Sequence, residues 1–196
     1  TTDNTKTTHG IWGFGADDAT SAGYSMYANT TALGVYLGSG TTRNLYNQSG
    51  VVETSYKLYT TIFKHDSVLV YANGVKLASS STANLGKIIP TGESLYIGKY
   101  YSSQPNLWLG QIGETQIVRF PDISTNNHTP AEIYLRGINS INMPSSFTGG
   151  TIVGWWKWSG NTNALMLDDA SSSANDLTGT NVTTADQVIL NNGYRP

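Results

Sequence analysis

The chain has 196 residues, no cysteine, a net charge of −2 and only 12% charged residues. This length suits one β-sandwich, or one domain with an extension, and permits a sizeable core without disulfides or metal. No basic run occurs, which argues against nucleic acid as a partner. No apolar stretch approaches the ~18 residues of a transmembrane helix, so membrane insertion is not expected.

Ser, Thr, Asn, Gly and Tyr take the place of charged residues, a balance typical of proteins on extracellular or virion surfaces. Residues 1–9 are polar and predict an arm or linker. The chain has no initiator methionine and no signal-peptide pattern, so we expect it to begin inside a longer gene product.

Short strands separated by turn residues follow the arm. Aromatic and β-branched residues predict strands at 9–15, 24–28, 33–37, 44–46 and 56–63. The segments between them are rich in Gly, Ser, Thr, Asn and Asp, as loops usually are.

A hairpin is predicted over residues 67–79. Leu69, Tyr71, Val75 and Leu77 alternate along the two arms, and Asn73-Gly74 lies between them. Asn-Gly is a strong hairpin signal, because a type I′ turn needs positive φ at both central residues. Further strands are predicted at 95–98 and 109–118, and the second is long enough to cross a whole sheet.

One short helix is predicted near residues 130–136. Thr129 is a suitable N-cap, Pro130 suits the first helical position, and Glu132 completes a capping box. Gly137 is the expected stop.

The order LVYANGVKL, SLYIGKY, WLGQIGETQIVRF and TPAEIYL resembles the laminin-G-like branch of the concanavalin A-like lectin/glucanase superfamily. The resemblance covers roughly residues 10–137. It implies an all-β fold, a two-sheet antiparallel jelly-roll-like sandwich spanning 10–141, with the short helix near its end. Low-charge domains of this kind resemble those of phage tail, fibre and head-decoration proteins and of bacterial surface proteins.

Residues 142–196 are harder to place. They contain Trp155, Trp156 and Trp158 and then an Asp-, Ser- and Asn-rich run over 168–178. In laminin-G-like domains a similar segment usually comes first. It therefore completes the sandwich, packs on a neighbouring chain, or opens a second domain. Alternation puts Trp156 and Trp158 on one strand face and Trp155 on the other, so these large rings must pack on something.

The residues give little support to catalysis. Glucanases of the superfamily use paired acidic residues on one strand, and retaining hydrolysis needs carboxyls ~5 Å apart. None of the four glutamates has an acidic residue two or four positions away, and Glu114 is expected to be a solvent-facing strand residue. The protein is therefore expected not to be an enzyme.

Metal binding is considered for calcium alone. His9, His65 and His128 lie in separate segments without metal-ligand spacing and are expected at the surface. The aspartates supply the hard oxygen ligands that calcium prefers, and Asp168 with Asp176 is the leading pair. A solvated turn is nevertheless the favoured interpretation of these residues, and the pair is the expected site only if a metal is bound.

Loop aromatics suggest a binding site. Tyr100, Tyr101, Asn106 and Trp108 combine rings that stack on sugars with an amide that binds hydroxyls, in a loop of the kind that often carries function. Trp12, Trp155 and Trp158 are instead expected in the core or at an interface.

The sequence thus favours a non-catalytic recognition module on an extracellular or virion surface, binding a cell-surface glycan. The alternative is a structural or assembly domain of a virion or filament that binds other subunits and no small ligand. Homo-oligomer formation is open under both.

Overall fold

The computed structural model describes residues 8–15, 22–29, 32–39, 43–49, 57–63, 67–81, 94–99, 112–121, 128–140, 143–157 and 167–178. The chain divides into two compact units, Thr1–Gln111 and Ile112–Pro196. The division falls ahead of residue 141, where the sequence placed the end of the sandwich. The predicted arm at 1–9 lies outside the described residues except for its last two.

The described part of the chain is mostly β-structure with one short helix, as predicted. The strands of the first unit are β1 (Thr8–Gly15), β2 (Ala22–Asn29), β3 (Ala32–Ser39), β4 (Arg43–Ser49), β5 (Tyr59–Phe63), β6 (Ser67–Ala72), β7 (Val75–Ser81) and β8 (Leu95–Ile97). The second unit contains β9 (Thr115–Arg119), the helix α1 (Pro130–Ser140) and β10 (Thr151–Trp156).

All strand pairs among the described residues are antiparallel. The first unit has a five-stranded sheet, in the order β4-β3-β2-β1-β8, and a three-stranded sheet, in the order β5-β6-β7. Within each of these sheets consecutive strands pair as neighbours: β1 to β4 in the first and β5 to β7 in the second. Strand β8 then returns to the first sheet beside β1. In the second unit β9 pairs with β10.

The two sheets of the first unit share one core. Its buried cluster takes members from β2 and β3 on one side and from β6 on the other: Met26, Ala28, Leu33, Val35, Val68 and Val70. Phe63 contacts Trp12 edge-on at 5.8 Å between ring centroids and Tyr24 at 4.8 Å. The sheets therefore pack face to face as a β-sandwich.

The hairpin of β6 and β7 confirms the predicted turn. Asn73 and Gly74 have φ of 50° and 77°, the positive values that a type I′ turn requires. The core-facing residues of β6 belong to the set that includes Val68 and Val70, and Leu77 of β7 packs against the same core. Val68, Val70 and Ala72 are buried, whereas Val75 is 68% exposed. Apolar residues on both faces of β6 left this choice open to the sequence.

Asn73 also ties the hairpin to β5. Its backbone N–H donates to the Leu58 carbonyl at 2.8 Å, and its side-chain Oδ1 accepts from the Leu58 N–H at 2.9 Å. These two bonds extend the β5–β6 ladder by one residue beyond the pair Tyr59 and Ala72.

Small residues lie beside a tyrosine ring on the outer face of the five-stranded sheet. Gly13, Gly34 and Ser25 are buried there, and the Tyr27 ring lies over Gly34, where an added Cβ would come within 2.1 Å of it. The Ser25 hydroxyl is buried and has no hydrogen-bond partner.

The helix α1 begins as predicted. Glu132 N–H donates to Thr129 Oγ1 at 3.2 Å, and Glu132 Oε2 accepts from the Thr129 N–H at 2.7 Å, which completes the capping box. Its end differs, because the helix passes through Gly137 and continues to Ser140. A glycine inside a helix costs only about 1 kcal/mol, so it does not by itself end one.

Two further expectations are wrong. The long strand expected at 109–118 begins later than predicted. Ile112, Gly113 and Glu114 are described but are not in a strand, and β9 begins at Thr115. His9 and His128 are buried, not at the surface: they are 9% and 8% exposed, and the His128 ring packs edge-on against Phe147. His65 lies outside the described residues.

No helix among the described residues is both long enough and apolar enough to cross a membrane.

Candidate functional site

The residues predicted for function lie in or next to two described regions, one in each unit. The first is the edge of the five-stranded sheet at β8, from which the predicted glycan loop begins. The contact residues predicted for that loop, Tyr100, Tyr101, Asn106 and Trp108, lie outside the described residues. The structure does describe the segment that leads into them, residues 94–99.

At this edge β8 pairs with β1, and the Gly98 N–H donates to the Ile11 carbonyl at 2.7 Å. Tyr96 lies opposite Gly13, and Gly13 in turn lies opposite Ser25. The half-buried Tyr96 therefore lies on the sheet face away from the core. The Lys99 ammonium lies 5.4 Å from the centroid of the Tyr96 ring, close enough for a cation–π interaction.

The second region is the segment 167–178, which contains both residues predicted for calcium. We call it the aspartate loop. Asp169, not Asp168 or Asp176, is its organising residue. The Oδ1 atom accepts from the backbone N–H groups of Trp155 and Ser171, each at 2.8 Å. The Oδ2 atom accepts from the Ser171 hydroxyl at 2.8 Å and the Asn175 N–H at 2.9 Å.

These bonds determine the ionisation of Asp169. Partial burial acts to raise the pKa of its carboxyl, but the hydrogen bonds from Asn175, Ser171 and Trp155 together outweigh burial and hold the pKa below its usual 3.8. Each of these donors stabilises the charged form, as expected for a carboxylate that accepts several backbone N–H groups. Asp169 is therefore ionised throughout the physiological range.

The aspartate loop also covers the outer edge of β10. The Asn175 side-chain amide donates to the Val153 carbonyl at 2.7 Å, and the Ser173 hydroxyl donates to the Ile152 carbonyl at 3.3 Å. The Ala170 N–H donates to the Trp155 carbonyl at 2.8 Å. Loop groups thus take the place of a neighbouring strand along this edge.

The tryptophans of β10 are buried within this arrangement. Trp156 is 2% exposed, its ring lies over Gly154, and its indole N–H donates to the Asn175 carbonyl at 3.1 Å. Trp155 is also buried, as expected, and the Lys157 ammonium lies 4.1 Å from its ring centroid. Neither ring is an open platform for a sugar. Trp158 lies outside the described residues.

Glu114 has a structural contact. Its carboxylate accepts a short hydrogen bond from the Trp155 indole N–H. It is half-buried and not the solvent-facing strand residue expected from the sequence, because it lies just before β9 and beside the first tryptophan of β10.

The calcium hypothesis for Asp168 and Asp176 stays a prediction. Asp176 Oδ1 accepts from the Asp169 N–H at 2.9 Å, and Asp168 is exposed. Asp169 cannot join them, because its four hydrogen bonds occupy the lone pairs of both oxygens. Among the described residues no group of three or more His, Cys, Asp or Glu side chains could hold a metal ion.

Sequence reasoning missed the roles of Asp169 and Lys157. A signal for Asp169 was present in the sequence. An aspartate two residues before a serine often accepts hydrogen bonds from backbone N–H groups that follow it in the chain, and Asp169 precedes Ser171 in this way. For Lys157 the signal is its spacing, since residues two apart in an extended strand lie on the same face, as Trp155 and Lys157 do.

Comparisons of the chain with protein-family models, with curated protein sequences and with solved structures return no significant match.

Proposed function

We propose that this protein is a non-catalytic recognition module of an extracellular or virion surface, and that it binds a glycan at the β8 edge of its five-stranded sheet. One observation carries the proposal. A half-buried tyrosine, Tyr96, lies at a sheet edge with the Lys99 ammonium near its ring, directly before the loop that contains Tyr100, Tyr101 and Trp108.

The chemistry of this edge suits a sugar. A pyranose has an apolar C–H face that stacks on an aromatic ring, and hydroxyls that an ammonium and an amide can bind. Tyr96 and Lys99 supply one such ring and one such cation, and Asn106 supplies the amide in the predicted loop.

Charge and composition support the surface location. A chain with 12% charged residues, many hydroxyl and amide side chains and no cysteine suits an exposed, β-rich module that contacts glycans or other surface proteins. The proposal needs no catalytic group, and Glu114 is engaged with Trp155.

A glycan array probed with the intact chain tests the proposal. Replacing Tyr96 with Ser should weaken binding to any captured glycan by about tenfold, the loss typical of a contributing aromatic contact. The matched control is Tyr71→Ser, which removes another half-buried tyrosine from β6 in the same unit. Trp108→Ala tests the predicted loop, and a calcium titration of the bound state tests Asp168 and Asp176.

Equal loss in Tyr96→Ser and Tyr71→Ser would point to general destabilisation and contradict a site at β8. The glycan proposal would be overturned if the array shows no bound glycan and a sizing experiment shows that the chain self-associates. That result would favour the alternative, a structural or assembly domain that binds other subunits of a virion or filament.

A further inference from the structure

The hairpin turn between β6 and β7 carries a chemical liability. Asparagine followed by glycine is the dipeptide in which the next backbone nitrogen attacks the side-chain amide most readily, because glycine has no Cβ to obstruct it. Asn73-Gly74 is such a pair, and it lies beside the exposed Val75 and Lys76.

The balanced reaction is a deamidation. The Gly74 nitrogen loses its proton to solvent base and forms a bond to Asn73 Cγ, while the carboxamide nitrogen leaves as ammonia. The cyclic imide then adds water. Opening at one carbonyl gives aspartate, and opening at the other gives isoaspartate, whose backbone contains one extra methylene. No oxidant or reductant takes part.

The closed turn opposes the first step. In a type I′ turn the first central residue has ψ of about +30°, which places the next nitrogen on the far side of the Cα–C bond from Cβ. Ring closure needs that nitrogen on the same side as Cβ. The observed φ of 50° at Asn73 and 77° at Gly74 puts the turn in this unreactive geometry.

Leu58 holds the side chain in place as well. Its N–H donates to Asn73 Oδ1 at 2.9 Å, and its carbonyl accepts the Asn73 N–H at 2.8 Å. Rotation of Cγ towards Gly74 breaks the first bond, and rotation of the backbone strains the second. Reaction therefore requires the hairpin tip to separate from Leu58.

We propose that Asn73 is a site of spontaneous modification that is blocked in the closed hairpin, reacts when the hairpin opens, and thereby records that opening irreversibly. Conversion to isoaspartate prevents reclosure, because a two-residue turn has no room for an added backbone atom. Conversion to aspartate is harmless, because Asp-Gly also suits a type I′ turn and its carboxylate still accepts from Leu58.

Peptide mass mapping of the intact chain tests the proposal. Modification at Asn73 should be at least about tenfold slower in buffer than in guanidinium chloride, because the folded turn must open first. Asn192-Gly193, the same dipeptide in the same chain, is the internal reference for the chemistry in denaturant. In low denaturant the rate at Asn73 should rise in parallel with hydrogen exchange of its own N–H.

Equal deamidation rates at Asn73 in buffer and in denaturant would overturn the proposal. A deamidation rate that does not rise together with the hydrogen-exchange rate of the Asn73 N–H would also overturn it. Asn73→Asp separates the two products. This variant should keep the protection of the hairpin amides, while the purified isoaspartate form should lose it. An aspartate variant that also loses protection would contradict the claim that only isoaspartate opens the turn.

Discussion

The sandwich of the first unit and the aspartate loop of the second are held by different physical forces. In the sandwich, Met26, Leu33 and Val70 are members of a buried apolar cluster to which two sheets contribute. In the loop, one carboxylate, Asp169, accepts four hydrogen bonds. Apolar packing distributes the stability of the sandwich over many contacts and does not vary with pH. The stability of the loop, in contrast, depends on the charge of a single side chain.

The largest effect should come from opening a cavity in the sandwich core. Leu33 is fully buried, so Leu33→Ala should lower the free energy of unfolding by about 2–5 kcal/mol at any pH. Denaturant titration measures it. The control is Leu135→Ala on α1, where Leu135 is 54% exposed and the change should stay within about 0.5 kcal/mol.

A smaller loss is expected from filling the space over Gly34. A Cβ there would lie 2.1 Å from the Tyr27 ring, so Gly34→Ala should cost about 1–3 kcal/mol in thermal or denaturant unfolding. Gly113→Ala is the matched control, because nothing lies within 4 Å of its added Cβ. If Gly34→Ala behaves like this control, the tyrosine does not depend on the glycine.

Substitutions at Gly74 test the backbone conformation of the hairpin turn. Gly74→Val forces a β-branched residue to φ of 77° and should cost about 1–2 kcal/mol. Gly74→Asn should cost less, because asparagine tolerates positive φ. Equal melting temperatures for both variants and the parent chain would show that the turn accommodates any residue.

The aspartate loop should be the region that acid loosens. The folded pKa of Asp169 lies below its unfolded value, so its contribution is complete above about pH 4 and is lost as pH falls through the folded pKa. Hydrogen exchange at the Ser171 and Asn175 amides should accelerate there, while the Asn73 amide stays protected. Asp169→Asn should show fast exchange at every pH. Unchanged amide exchange in this variant would show that the loop is not stabilised by the charge of Asp169.

The smallest effect should have the opposite sign. The Ser25 hydroxyl is buried without a partner, so Ser25→Ala removes a desolvated polar group and should stabilise the chain by about 1 kcal/mol. Destabilisation would mean that the hydroxyl has a hydrogen-bond partner in solution.

The sequence by itself determined the features that depend on neighbours along the chain. The Asn73-Gly74 turn follows from which residues tolerate positive φ, and the start of α1 follows from Thr129 and Glu132 three residues apart. The antiparallel β-character follows from short alternating segments between turn residues. Each of these signals is complete within about ten residues, so no distant contact was needed to interpret it.

Tertiary structure decided what depends on distant partners. β6 is apolar on both sides, and only its packing against β2 and β3 selects Val68 and Val70 for the core. His9 and His128 are buried although polar residues surround them in the sequence, and for His128 the cover includes the Phe147 ring, nineteen residues away. Asp169 organises its loop because β10, fourteen residues earlier at Trp155, presents an N–H to it. The local sequence pattern does not predict such pairings. Their interactions stabilise the protein only after folding has brought the two distant groups into contact.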